Sequence, residues 1–91
     1  MKNIDEALDY QKKALAIHEE LNDKVGMAGD YTNIGNVLSI MGNHKEALES
    51  FSKSLEILQE FEKKTGYHHP LIEQVQALIA ELHKNLRKTY G

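Results

Sequence analysis

Apolar side chains recur with a helical period along the whole chain. Ala7, Leu8, Gln11, Ala14, Leu15 and Leu21 share one helix face, and Ala47, Leu48, Phe51, Leu55, Leu58 and Phe61 do the same further on. Between them, Ala28, Tyr31, Ile34, Gly35, Leu38 and Met41 keep the same spacing. Past Pro70, a residue tolerated in a first helical turn, Leu71, Val75, Leu78, Leu82, Leu86 and Tyr90 form a last stripe. The pattern predicts an all-α chain with helices over 4–21, 24–41, 44–64 and 70–89. Asn3 stands three residues before Glu6, and Asn43 three before Glu46, the spacing of a capping box with Asn as N-cap. Asp23 can open the second helix and Gly42 close it in a left-handed cap, with Gly66 closing the third. Connections this short favour antiparallel neighbours.

The chain also repeats itself at an offset of forty residues. Met1/Met41, Asn3/Asn43, Glu6/Glu46, Ala7/Ala47, Leu8/Leu48, Lys13/Lys53, Leu15/Leu55, Ile17/Ile57 and Glu20/Glu60 are identical pairs. The register continues where Lys24-Val25-Gly26 falls on Lys64-Thr65-Gly66, then fades. A fixed period of this size is the mark of a stacked helical array.

Composition narrows the function. Of 91 residues, 41% are hydrophobic and 27% charged, with a formal net charge of -3. That balance argues against nucleic acid and anionic membrane as partners, since both attract concentrated Lys and Arg. Zero cysteines rule out disulfides and thiolate chemistry within these residues. No apolar run reaches the roughly 18 residues that span a bilayer, and no signal-like segment follows Met1, which makes cytoplasmic the expectation.

The segment Tyr31-Thr-Asn-Ile34-Gly35-Asn-Val-Leu38, then Gly42, Ala47 and Phe51, resembles the tetratricopeptide repeat. Tyr31, Ile34-Gly35, Leu38, Gly42, Ala47 and Phe51 take the places of that family's bulky, Leu-Gly, bulky, turn-Gly, Ala and aromatic positions. Gly35 and Ala47 are small where paired helices would cross closely, and the larger residues fill the space around the crossing. Ser54 departs from the usual Ala, and the forty-residue period matches the longer-repeat variety. The resemblance implies one α-solenoid fragment over 1–91: a half repeat at 3–21, a full repeat at 24–64 and a C-terminal capping helix at 70–91. Val75 sits where a further repeat would carry Gly, so the last helix is expected to pack less tightly; a second register would put Leu86 and Tyr90 in the helix-A places.

The family binds peptides in a concave groove, so the resemblance implies a non-catalytic protein-interaction module with a peptide or protein ligand. Carried onto this chain, the groove positions are Gly29, Thr32, Asn33, Asn36, Ser39 and Ile40. His69, Glu73 and Gln76 join them if the last helix keeps the forty-residue offset. Asn33 and Asn36 are the leading candidates, because a carboxamide donates and accepts toward any peptide backbone; the plainer alternative is two solvated polar positions. The family's carboxylate clamp needs Lys where Thr32 stands. The helix at 4–21 lacks a covering first helix, which points either to a longer repeat array or to a homo-dimer through Ile4, Leu8, Leu15 and the tail stripe. That second course would make the chain a structural oligomerisation and capping module.

Other chemistry finds little footing. No two of the five histidines have the i, i+4 spacing of a metal couple with a third ligand nearby, so no metal is expected. His44 takes a place where the family often has an aromatic, a packing role. Lys84, Arg87 and Lys88 suit the end of a helix dipole. Glu19, Glu20, Glu49, Glu60 and Glu62 occupy solvated faces, and no phosphate loop or nucleophile motif occurs, so neither catalysis nor a cofactor is expected.

Overall fold

The computed structural model describes residues 2–90, with side chains over residues 3–88. Four helices follow one another: α1 (Lys2–Glu20), α2 (Lys24–Ile40), α3 (His44–Thr65) and α4 (Leu71–Tyr90). Each packs on its neighbour in sequence, and among the described residues no substantial contact joins α1 to α4, so the chain is an open stack and not a closed bundle. Contacts run antiparallel: Asn33 meets Gln11 while Asp30 meets His18, and Gly35 meets Phe51 while Ala28 meets Ser54.

The same device makes the first two corners. After α1 the Asp23 N–H donates to the His18 carbonyl (2.9 Å) and the Asn22 N–H to Glu19 (3.1 Å), with Asn22 at φ 55. After α2 the Asn43 N–H donates to Leu38 (2.9 Å) and the Gly42 N–H to Ser39 (3.0 Å), with Gly42 at φ 85. Both are Schellman turns, and in both the residue after the left-handed one opens the next helix. Asp23 caps α2 by accepting from the Gly26 N–H at 2.9 Å. The two expected capping boxes are not formed. Asn3 lies inside α1, which begins at Lys2, and Asn43 makes no side-chain cap bond. The Asn43 N–H is already used by the turn, leaving nothing for Glu46 to accept from. At α4, Pro70 lies just outside the helix, and His69 caps it by accepting the Leu71 N–H on Nδ1 (3.0 Å) and the Ile72 N–H on its carbonyl (3.0 Å).

The core is one cluster running from α2 to α4: Ala28, Ile34, Leu38, Ala47, Phe51, Leu58, Ile72, Val75 and Leu82. Its tightest point is Gly35, where an added Cβ would stand 2.5 Å from the buried Phe51 ring. Beside it, fully buried Ser54 donates to the Ala28 carbonyl (2.9 Å) and lies 2.8 Å from the Thr32 hydroxyl. Serine in the family's alanine place thus ties α3 to α2. Val75 is fully buried, contrary to the expectation of looser packing: α4 lays Ile72, Val75 and Leu82 on α3 and needs no close crossing there. Tyr90, placed on that stripe by the sequence pattern, has its side chain outside the described residues. Leu8 and Leu15, expected on an open surface, pack against the core; the exposed large apolar residues of α1 and the turn after it are Tyr10, Ile17 and Leu21.

Gly35→Ala should lower the unfolding free energy by about 1–3 kcal/mol through overpacking against Phe51, offset by up to about 1 kcal/mol of helix propensity, and so lower the chemical-denaturation midpoint. An unchanged or raised midpoint would contradict the close crossing.

Candidate interaction surface

Gly29, Asn33, Asn36 and Ile40 succeed one another at helical spacing along one face of α2, each exposed or half-buried. Nothing lies within 4 Å of a Cβ built on Gly29, and Ile40 is 73% exposed. Asn33 stands nearer α1 and donates from Nδ2 to Gln11 Oε1 at 3.3 Å. Asn36 stands nearer α4. There it and Ser39 rim a cleft of about 60 Å³ whose other rim is Glu81 and Asn85, with Phe51, Leu78 and Leu82 at its floor.

Three of the positions carried over from the repeat pattern sit elsewhere. Thr32 is buried, because it lies about 60° round α2 from the Gly29 stripe and turns to α3, where its hydroxyl lies 2.8 Å from that of Ser54 while donating to the Ala28 carbonyl of its own helix (2.9 Å). It is a core residue, so the comparison with a carboxylate clamp falls on a position that faces no groove. Gln76 and Glu73 are exposed but stand about 160° and 140° round α4 from Leu78, away from the cleft. Ile72, Val75 and Leu82 fix the helix against α3, and that rotation brings Leu78, Glu81 and Asn85 round to α2 instead.

On the opposite side of α2 a second cleft of about 330 Å³ opens between α1 and α3. Tyr31, Ile34 and Leu38 form its base, Leu8 and Leu15 one wall, and Lys53 stands 5.6 Å from the Tyr31 ring centroid.

Two histidines join helices in ways the sequence pattern did not reveal. His18 Nδ1 on α1 meets the buried Asp30 carboxylate on α2 at 2.5 Å, with Asp23 3.9 Å from the other ring nitrogen. The hydrogen bond to Asp30 raises the His18 pKa above 6.5 against a smaller desolvation effect, and the charges of Asp30 and Asp23 help. A Cβ on Gly26 would collide with this ring and the Asp23 carboxylate, so a bare α carbon lets the group form. His68 sits between two carboxylates, Nδ1 at 3.0 Å from Glu62 and Nε2 at 2.7 Å from Glu73. Only a ring protonated on both nitrogens donates to both. The bonds to Glu62 and then Glu73 raise the His68 pKa, and the His68 bond lowers that of Glu73. His18 and Asp30 are twelve residues apart, and His68 reaches Glu62 and Glu73 across the α3–α4 connection, so neither group has the helical i, i+3 or i+4 spacing that would signal it. Among the described residues no group of three or more His, Asp or Glu side chains is arranged to hold a metal ion. No described helix is long and apolar enough to cross a membrane.

With helix pairs, Schellman corners and the Gly35–Phe51 crossing in view, comparison with known families is decisive. The tetratricopeptide repeat profile matches residues 1–60. The chain belongs to the tetratricopeptide repeat family. No curated protein and no solved structure matches it at a significant level. Tetratricopeptide repeats are protein-interaction modules.

Both histidine pairs give the stability a predictable pH slope. Their folded pKa values lie above the unfolded value of 6.5, so their contribution is fully present below pH 6.5 and is lost as pH rises through the folded values. Thermal midpoints should fall across that window, and His18→Gln with His68→Gln should flatten the slope. A slope that stays the same in the double variant would refute the assignment. Glu73 acts in the other direction, its contribution being lost as pH falls through a folded value below 4.5.

Proposed function

We propose that the chain holds an extended segment of a partner protein along the face shared by α2 and α4, and carries out no chemistry of its own. One observation carries this reading: Asn36 and Ser39 stand across an apolar-floored cleft from Glu81 and Asn85, while the Gly29–Ile40 stripe continues it along α2. Carboxamides can donate to and accept from a peptide backbone whatever its side chains are. Ile40 adds an apolar contact at the end of the stripe, and open Gly29 lets a backbone come close at the other. Membership of the tetratricopeptide repeat family supports a protein partner, and Glu46, Glu49, Glu56 and Glu60 of α3 are exposed to solvent.

A second reading rests on a separate surface. Tyr10, Ile17 and Leu21 are 71%, 57% and 70% exposed and lie on one side of α1. Through them the chain would self-associate as a structural module. Sedimentation over a range of concentrations tests it: Ile17→Glu shifts a self-associating chain to monomer, and a wild-type chain that is monomeric throughout removes the idea.

For the primary reading, peptides selected on the immobilised chain from a random display library should lose measurable binding to an Asn33→Ala, Asn36→Ala double variant whose far-UV circular dichroism is unchanged. Leu82 and Thr32 are unsuited to such a test, being core residues whose substitution reports on folding. Retained affinity in the double variant would rule out the α2 stripe as the binding face.

A further inference from the structure

We infer that the connection between α3 and α4 is a pH-gated joint, complete only where His68 is charged and ties α4 to α3 while the adjacent His69 is neutral and caps α4. It stands apart from the reading of the α2–α4 cleft as a peptide site.

Hydrogen-bond geometry sets the two opposite proton demands. The connection, 66–70, places the two histidines side by side. His68 reaches out of it in both directions, with Nδ1 3.0 Å from Glu62 on α3 and Nε2 2.7 and 2.8 Å from the carboxylate oxygens of Glu73 on α4. Carboxylates accept and do not donate, so the ring donates from both nitrogens and carries a charge. His69 does the reverse. A backbone N–H can only donate, and the Leu71 N–H meets His69 Nδ1 at 3.0 Å, so that nitrogen keeps its lone pair and the ring proton sits on Nε2. Tyr67 stands edge-on to the same ring, the centroids 6.0 Å apart. The His69 carbonyl takes the next amide, the Ile72 N–H, at 3.0 Å. Two N–H groups of the first turn of α4, which have no carbonyl of their own helix to meet, therefore both end on His69. A proton on Nδ1 would set N–H against N–H and open this cap.

The surroundings give the two limbs opposite signs. Glu62 faces His68 from α3 and Glu73 faces it from α4; in the same turn of α3, Lys63 is exposed and Lys64 pairs with Glu60 at 3.8 Å. The hydrogen bonds to Glu62 and then Glu73 raise the His68 pKa above 6.5, desolvation opposes them, and the charges of both carboxylates add. This tie is complete below pH 6.5 and opens as pH rises through the folded value. Glu73, held below 4.5, keeps its charge across the same range. Among the described residues His69 forms no ion pair, and its cap opens as pH falls and Nδ1 takes a proton. One histidine alone would give a one-sided response. Two neighbours with contrary demands give an optimum between them.

Hydrogen exchange of the Leu71 and Ile72 amides, followed by NMR on the full chain from about pH 5 to about pH 8 and corrected for intrinsic exchange, tests the joint. Protection should pass through a maximum and fall about two- to fivefold on each side, the scale of an exposed charged contact. At the maximum, ring nitrogen spectra should show His68 protonated on both nitrogens and His69 with a bare Nδ1. His68→Gln should remove the alkaline limb. His69→Asn should remove the acid limb, since an Asn side-chain oxygen takes an N–H two residues on without titrating. His68 is exposed and His69 half-buried, so circular dichroism should show both variants folded. A one-sided or flat profile in wild type, a neutral His68 ring at the maximum, or a limb that survives its own variant overturns the inference.

Discussion

The approach of α2 to α3 at Gly35 is the contact on which the rest of the structure depends. The Phe51 ring occupies the space a Cβ would take, so the two helix axes come as near as backbone and ring allow. Ser54 bonds Ala28 and Thr32 on the same seam, and these contacts from α3 form only at that spacing. Phe51 is also part of the floor under the cleft between α2 and α4. A single buried ring therefore fixes the helix pair and shapes the surface proposed to meet a ligand. Widening the crossing would move Asn36 and Ser39 relative to α4.

The two copies of the repeated segment use equivalent places differently. At the forty-residue offset Phe51 corresponds to Gln11 and Leu58 to His18. In α3 both are buried and apolar, and they join the core that continues into α4. In α1 both are polar, and both engage α2: Gln11 through Asn33 and His18 through Asp30. The first joint is thus built largely from polar pairs over a strip of Leu8 and Leu15, while the second and third rest on a continuous apolar core. Hydrogen bonds contribute less net stability than buried carbon and vary with pH when histidine is a partner. The α1 end of the stack is accordingly the softer one, and its exposed Tyr10, Ile17 and Leu21 leave it with apolar surface to spare.

Helix number, order and ends were legible to within a few residues, because a 3.6-residue period over nearly twenty residues has no competing explanation, and Gly42, Gly66 and Asp23 mark ends by mechanism. Gly35 announced the crossing because a helix interior rarely keeps a glycine without a packing reason. The capping boxes failed since a Schellman turn had already consumed the Asn43 N–H, a use invisible in the spacing alone. The exposure of Gly29, Asn33, Asn36 and Ile40 on one face of α2 agrees with the spacing of the repeat pattern. Thr32 does not, because a 60° turn separates the core from the groove and nothing local fixes that phase. The pairs His18–Asp30 and His68–Glu62–Glu73 depend on tertiary approach and leave no sequence signature.

The rotation of α4 was the least legible feature, and it has the largest consequence for function. A forty-residue offset puts Val75 in the place of Gly35. Valine forbids a crossing as close as that of α2, so α4 seats Ile72, Val75 and Leu82 on α3 and turns a different column toward the groove. The two walls consequently differ: Asn33, Asn36 and an open glycine on α2, and apolar carbon with Gln74, Asn85 and the carboxylate of Glu81 on α4. Glycine in α2 and valine in α4 thus set both how closely each helix crosses α3 and which side chains each presents to the groove.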